Sequence, residues 1–240
     1  MLFRSVIELR SPWPLLPLRF FGQRTLAAAN LSIAIIGAVA FSQFFVLALY
    51  LQDVLHYSPM QSGVAFVAFA GTVVLVSNLA QLIVSRIGVR ATLTAGFLIS
   101  ALSVAWLTRL PLDGRYFSDL FPAFVLGGAG MGLSFVPVTI AGLSGVGRAD
   151  AGVASGLINT SRQIGGAVGI AAVSAIAASS TRHFNGVPGS AASLDHGFQT
   201  ALYVLTGLLV LGALTAAALI RTEPIAPVAE IAPAELAEAA

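Results

Sequence analysis

Six continuous apolar runs, each close to the length of a membrane-crossing helix, constrain this chain more than any other feature. They cover residues 25–50, 63–84, 91–107, 119–143, 151–178 and 198–220. An α-helix needs about 20 apolar residues to cross the roughly 30 Å of hydrocarbon in a bilayer. Lipid accepts only helices or closed barrels, and these runs do not alternate between polar and apolar residues as barrel strands do. The sequence therefore predicts an all-α integral membrane protein with six transmembrane helices.

The composition points the same way and excludes most other functions. Hydrophobic residues make up 57% of the chain and charged residues only 9%, against about 25% charged in soluble domains. The sequence has no cysteine, no HExxH or P-loop motif, and no mid-span histidine or carboxylate for acid–base chemistry. We expect neither an enzyme nor a cofactor or metal site. The small net charge of +2 gives no reason to expect a nucleic-acid partner.

The distribution of arginine predicts the orientation, because cytoplasmic loops carry an excess of basic residues. An even number of spans places both termini on one side. If that side is the cytoplasm, eight arginines lie inside, three lie outside and one lies within a span. The inside set is Arg4, Arg10, Arg19, Arg24, Arg86, Arg90, Arg148 and Arg221, and the outside set is Arg109, Arg115 and Arg182. We expect a multi-pass protein of the plasma membrane with cytoplasmic termini.

The two ends of the chain differ from the apolar runs. Residues 1–24 mix charges with three prolines and contain no uninterrupted apolar stretch, so they predict an interfacial or cytoplasmic linker rather than a signal peptide. Residues 222–240 are rich in alanine, proline and glutamate and predict a disordered cytoplasmic tail.

An arginine within the fifth span is the strongest candidate for function. Ser155, Asn159, Arg162, Gly166 and Gly169 recur at intervals of four, three, four and three residues, so they share one face of a helix. A charge at that depth costs from ~3 to more than 10 kcal/mol, and it should face a wet cavity or the bundle interior. The sequence leaves its partner open: helix carbonyls, Asn159, Gln43, Gln81 or a group from another chain. Snorkelling of the arginine towards the interface is the purely structural alternative.

Other polar and aromatic residues of the spans are weaker candidates for a substrate pathway. Gln163 follows Arg162, and Gln43 lies in the first span, which ends at Tyr50. With Phe41, Phe44 and Phe45, these first-span residues could line a cavity for an apolar, partly aromatic substrate. Each polar side chain could equally be a contact between helices.

Small residues at helical spacing predict close contacts between helices. The fourth span contains Gly128, Gly132 and Pro137, which allow close approach and bending. The fifth contains Gly152 and Gly156, and further along Gly165, Gly166 and Gly169. Ordinary packing and a rocking or sliding contact both remain open for these positions.

Several stretches together resemble the C-terminal half of a major facilitator superfamily transporter, most of all the fourteen-spanner drug:proton antiporters of the EmrB/QacA type. They are PLLPLRFF at 14–21, YLQDVLHYSPMQSG at 50–63 and SGLINTSRQIGG at 155–166. The similarity extends over about residues 10–221. The stretch SRIGVR at 85–90 resembles the cytoplasmic loop signature of the superfamily, which Arg86, Gly88 and Arg90 match. Ser85 and Gln81 depart from it, where an aspartate and a glycine are usual.

The resemblance implies a fold and an activity. It implies that the six helices form one half-bundle, which rocks against an N-terminal half-bundle or a second chain around a midplane site. It also implies proton-coupled efflux of drugs or other small apolar or cationic molecules, with the bilayer, protons and the transported molecule as partners. The proton-carrying acids of such transporters lie largely in the other half. The alternative is a non-transporting remnant or a membrane interaction subunit that needs a second half.

Overall fold

The described part of the chain is helical apart from short turns. The computed structural model describes residues 24–144, 146–147, 150–184, 187 and 190–220. The helices are α1 (Arg24–Leu49), α2 (Pro59–Ala65), α3 (Val67–Leu107), α4 (Phe121–Leu143), α5 (Ala151–Arg182) and α6 (Ala191–Leu219). Single π-helical turns, Tyr50–Val54 and Tyr116–Leu120, extend α1 and precede α4. The prediction of an all-α fold is confirmed for these residues. The predicted tail, and all of the predicted linker except Arg24, lie outside them.

Five helical segments of the described residues are long and apolar enough to cross a membrane. They are Arg24–Val54, Pro59–Leu107, Tyr116–Leu143, Ala151–Arg182 and Ala191–Leu219. The predicted spans 63–84 and 91–107 fall together in the second segment, which has 49 residues. Membrane-crossing helices are thus supported, whereas the number six stays a prediction.

Gly88 interrupts α3. Its φ of 82° and ψ of 166° lie outside the helical region, in a part of the map that is accessible essentially only to glycine. We call residues 67–87 the first arm of α3 and residues 89–107 the second arm.

The two arms pack on α4 in opposite directions. Along the first arm, Gly128 of α4 meets Phe69 and Thr72, and Gly132 meets Val73 and Ser77. The residue numbers rise together, so this arm runs parallel to α4. Along the second arm, the contacts of α4 run from Ser103 at Gly127, through Ser100 at Gly130, to Gly96 at Ser134. These numbers change in opposite senses, so the second arm runs antiparallel to α4.

The turn between α1 and α2 has a local cause in the sequence. Ser58 caps α2: its hydroxyl accepts from the backbone N–H of Gln61 (3.3 Å), and the Gln61 side chain accepts from the Ser58 N–H (2.9 Å). Pro59 occupies the first helical position, where its missing N–H costs nothing. This capping box explains why the chain starts a new helix here.

The core is apolar and centred on α1, which contacts α4, α5 and α6. Across the bundle, Phe97 of the second arm is fully buried and lies against Gly212 of α6, where a Cβ atom would be 2.7 Å from the phenyl ring. Helix α6 begins seven residues before the predicted span, because Ser190 caps it and Gln199 donates to the buried Asp195 (2.7 Å). Satisfied polar groups thus extend α6 beyond the start of the apolar run that predicted it.

Candidate functional site

Helices α1 and α5 form a parallel seam in which their backbones touch. Asn30 pairs with Ser161, Ala34 lies against Gly165, and Ala38 lies against Gly169. A Cβ atom on Gly165 would fall on the carbonyl oxygen of Ala34, and one on Gly169 would lie 2.6 Å from the Cα of Ala38. Two more glycines leave no room for a side chain. A Cβ atom on Gly37 of α1 would meet the backbone carbonyl of Arg162, and one on Gly166 would meet the ring of Phe41.

Arg162 finds its partner on its own helix. Its Nη2 donates to Oδ1 of Asn159 at 2.9 Å, and the side chain is partly buried beside the seam. Among the described residues no carboxylate pairs with Arg162. Asn159, one of the partners that the sequence left open, therefore holds the guanidinium from one side. The remaining N–H groups of the Arg162 guanidinium stay available to another ligand.

Polar residues of α1 divide into a bonded and an unbonded group. Asn30 donates to the carbonyl of Leu26 (2.9 Å) and accepts from Ser161 (2.9 Å), so it joins α1 to α5. Gln43 is also buried, but its amide has no hydrogen-bond partner among the described residues. Tyr50 is buried in the π-helical turn that follows α1 and donates to the carbonyl of Pro111 (2.6 Å). Tyr50 thus holds the loop that contains Pro111 in place, whereas the Gln43 amide forms no hydrogen bond that would stabilise the bundle.

One exposed face of α5 is small and polar. Gly152, Ser155, Gly156, Asn159 and Gln163 are all exposed, and nothing lies within 4 Å of a Cβ built on either glycine. Only 17% of the residues in the most apolar window of α5 are buried. Gly152 and Gly156 therefore make no contact within the described structure, unlike the glycines of the seam.

Helix α4 lies between the two arms of α3 and is lined by glycine on both sides. Gly128 and Gly132 face the first arm, as described above. Pro137 is buried farther along the same helix, where its ring prevents one helical hydrogen bond.

A cleft of about 590 Å³ opens between the first arm and α4 beyond Gly132. Its wall is mainly apolar, with three polar side chains, and consists of Val73, Ser77, Gln81, Phe135, Val136, Thr139 and Ile140. Ligand sites are typically apolar clefts of 300–1,000 Å³ with a few placed polar groups. This cleft has the size and the lining to admit a small apolar molecule.

The aromatic residues of α1 do not share one cavity. Phe44 packs on Phe66 and Phe69, with ring centroids 4.9 and 5.0 Å apart. Phe66 in turn stacks on Phe124 of α4 at 5.3 Å. Phe41 faces α5, and Phe45 is exposed. The predicted group of Phe41, Phe44, Phe45, Gln43 and Tyr50 is therefore distributed around α1.

The loop signature lies at the junction between the arms of α3. Arg86 and Arg90 are exposed on either side of Gly88, and the Ser85 hydroxyl donates to the carbonyl of Leu82 (2.8 Å). Two like charges within one helical turn of the reversal place a basic patch at this end of the bundle.

Sequence reasoning missed the second side of α4. A Cβ on Gly130 would meet Ser100 and the carbonyl of Gly96, and Ser103 donates to the carbonyl of Ala123 (2.7 Å). The signal was present as Gly96, Ser100 and Ser103, a row of small residues with helical spacing. In the residues that the structure describes, no group of three acidic or histidine side chains could hold a metal.

Comparison with known proteins connects this geometry to a class of proteins. The family model described as Major Facilitator Superfamily matches residues 3–170. The chain is 35% identical to a cephamycin export protein of Amycolatopsis lactamdurans, over 92% of this chain and 47% of that protein. It is 32% identical to a puromycin resistance protein of Streptomyces alboniger, over 91% of this chain and 46% of that protein. A lincomycin resistance protein of Streptomyces lincolnensis is 33% identical, over 69% of this chain and 34% of that protein. The chain spans about half the length of the first two relatives.

Proposed function

This chain belongs to the Major Facilitator Superfamily, and we propose that it forms one half of a membrane transporter that exports small molecules by alternating access. The observation that carries the proposal is that the chain matches about half of a cephamycin export protein and about half of a puromycin resistance protein. The exposed small and polar face of α5, where nothing lies within 4 Å of a Cβ atom on Gly152 or Gly156, supports it, because a transporter half must leave a surface for the other half.

We infer that the half contains six spans, with Gly88 dividing α3 into two. The arms have 21 and 19 residues, or about 31 and 28 Å of helix at 1.5 Å per residue. Each length suits about 30 Å of hydrocarbon, and the opposite packing of the arms on α4 supports a reversal at Gly88. Six spans place both termini on one side, and the excess of arginine favours the cytoplasm for that side.

We infer that a second half-bundle covers α5 and the first arm. Few residues of either are buried: Phe69, Ala80 and Val84 on the first arm, and Ala154, Ile158, Gly166, Gly169 and Val173 on α5. The exposed residues of both include amides that have no hydrogen-bond partner among the described residues and that lipid would leave unsatisfied: Gln163 on α5 and Gln81 on the first arm. A second bundle, from the same polypeptide or another, would bury these groups and could supply the second ligand of Arg162.

The transported molecule and the coupling ion follow from the resemblance and the relatives. We propose small apolar or cationic drugs as substrates and protons as the coupling ion. In the described residues every carboxylate lies near a helix end or in a loop, so the proton-carrying acid would belong to the other half. Arg162, Asn159 and Gln163 would then border the shared pathway, with Gln43 of α1 and Tyr50 of the following π-helical turn as further candidates.

The first experiment measures the native assembly and its transport. The chromosomal C-terminus is tagged, and the tagged protein is blotted, purified with its partners and reconstituted with an imposed pH gradient. We expect uptake of radiolabelled puromycin, reduced by Arg162→Gln but not by Arg182→Gln, which changes the same charge in the last turn of α5. A band near 24.6 kDa directs the search to a partner chain, whereas a band about twice that size contains both halves. An absence of puromycin and ethidium movement would contradict transport and leave the membrane interaction subunit as the function.

A further inference from the structure

A groove on the outside of the bundle combines apolar walls with one positive and one negative side chain. It measures about 350 Å³ and lies where the second arm of α3 ends and α4 begins. Its lining residues are Leu102, Ala105, Trp106, Arg109, Leu110 and Asp119. None of them belongs to α5 or the first arm, so the groove is separate from the transport surface proposed above.

The surface next to the groove is suited to acyl chains. Leu98, Leu102 and Trp106 recur every four residues on the second arm, and their exposed fractions are 51%, 57% and 47%. Trp106 Nε1 donates to the backbone carbonyl of Asp119 (3.1 Å), which ties the indole to the start of the next span. Tryptophan is enriched at the level of lipid head groups. We therefore expect the groove to lie at the membrane interface, with an apolar stripe leading from it into the bilayer.

The two charges share the groove without pairing. Asp119 Oδ2 accepts from the backbone N–H of Arg115 (2.7 Å) and from the Ser118 hydroxyl (3.0 Å). Neither donor is charged, and Oδ1 has no donor among the described residues. The Arg109 side chain is exposed and forms no ion pair with Asp119, although both line the groove. A ligand that carries an anion and a cation a few ångströms apart would complement both groups.

We propose that this groove binds a zwitterionic phospholipid with a primary ammonium, that is, phosphatidylethanolamine. The lipid phosphate contacts the Arg109 guanidinium, the ammonium donates to Asp119 Oδ1, and an acyl chain follows Trp106, Leu102 and Leu98. Phosphatidylcholine has no N–H to donate to the carboxylate, and phosphatidylglycerol has no cation. The groove should therefore prefer phosphatidylethanolamine to both.

The test is lipid retention by the purified full chain in native mass spectrometry. The three lipids are added with identical acyl chains, and adducts are counted as collision energy rises. We expect about two- to five-fold more phosphatidylethanolamine adduct than either other lipid, as for a partly exposed ion pair. Arg109→Gln and Asp119→Asn should each remove this preference. Arg115→Gln is the matched control, because it changes an exposed arginine in the same loop and keeps the backbone N–H that Asp119 accepts.

Ala105→Phe tests the groove without changing charge. It fills part of the groove that Ala105 lines, and we expect loss of the phosphatidylethanolamine adduct with an unchanged melting temperature in lipid-free detergent. Equal retention of all three lipids, or a preference that survives Arg109→Gln and Asp119→Asn, would overturn the proposal. Stronger retention of phosphatidylglycerol would also overturn it and identify a site for anionic lipids. Each result is independent of whether the chain transports puromycin.

Discussion

Arg162 shows how a single side chain can be both stabilised and left available. Its hydrogen bond to Asn159 joins residues three apart on one helix, so it does not depend on any other segment. Side-chain pairs three or four residues apart on a helix surface contribute about 0.2–0.5 kcal/mol. Asn159→Leu should therefore lower the melting temperature, and Asn159→Asp should preserve or raise it by supplying a carboxylate. Thermal unfolding in detergent checks both, with Thr160→Val as the control at the next exposed position. Equal melting temperatures for Asn159→Leu and Thr160→Val would show that the bond is absent in solution.

Asn30 and Gln43 make a second comparison between residues of one helix. Both amides are buried in α1, but Asn30 bonds to Leu26 and Ser161 whereas Gln43 bonds to nothing described. Asn30→Leu should destabilise the bundle by about 1–3 kcal/mol, because it strands the Ser161 hydroxyl and loses two bonds. Gln43→Leu should leave the melting temperature unchanged or raise it. A fall for Gln43→Leu as large as that for Asn30→Leu would mean that the Gln43 amide has a partner.

At the scale of elements, glycine acts in α5 in two different ways. Gly165 touches the backbone of Ala34, so Gly165→Ala must push α1 and α5 apart, at a cost of about 1–3 kcal/mol. Gly156 has nothing within 4 Å, and Gly156→Ala should gain up to ~1 kcal/mol from helix propensity. Unfolding of the two variants in the same detergent should shift in opposite directions. If both are destabilised, the outer face of α5 is already occupied, for instance by a second copy.

The sequence predicted the elements better than their partners. Continuous apolar runs were enough to locate the long helices, but not the short helix α2, since a membrane leaves few alternatives to a helix. The starts were less accurate: α6 begins at Ala191 because Ser190 and Gln199 satisfy polar groups that raise the apparent polarity of its first turns. The site could be predicted only as a face. Periodicity placed Asn159 and Arg162 together, but whether Gln43 is bonded depends on neighbours distant in sequence, which periodicity does not reveal.

At the scale of the whole molecule, the number of spans decides where each loop lies. With six spans, Gln61 and Ser118 lie on one side of the membrane and Ser85 on the other. With α3 as a single span, Gln61 and Ser118 would lie on opposite sides. The chain has no cysteine, so Gln61→Cys, Ser118→Cys and Ser85→Cys each introduce one thiol at an exposed position. A membrane-impermeant maleimide should label the first two in intact cells and Ser85→Cys only after permeabilisation. Labelling of Gln61→Cys and Ser118→Cys from different sides would refute the six-span arrangement.

The reversal at Gly88 also bears on how the chain enters the bilayer during synthesis. The two arms are joined through one non-helical residue, so no loop separates them. The first arm therefore cannot insert fully across the membrane before the second arm begins to insert. The translocon should receive them as a helical hairpin, with Arg86 and Arg90 held back on the side of the ribosome. Insertion of the second arm would then be coupled to that of the first, and α4, which packs against both, would follow into a site already formed for it.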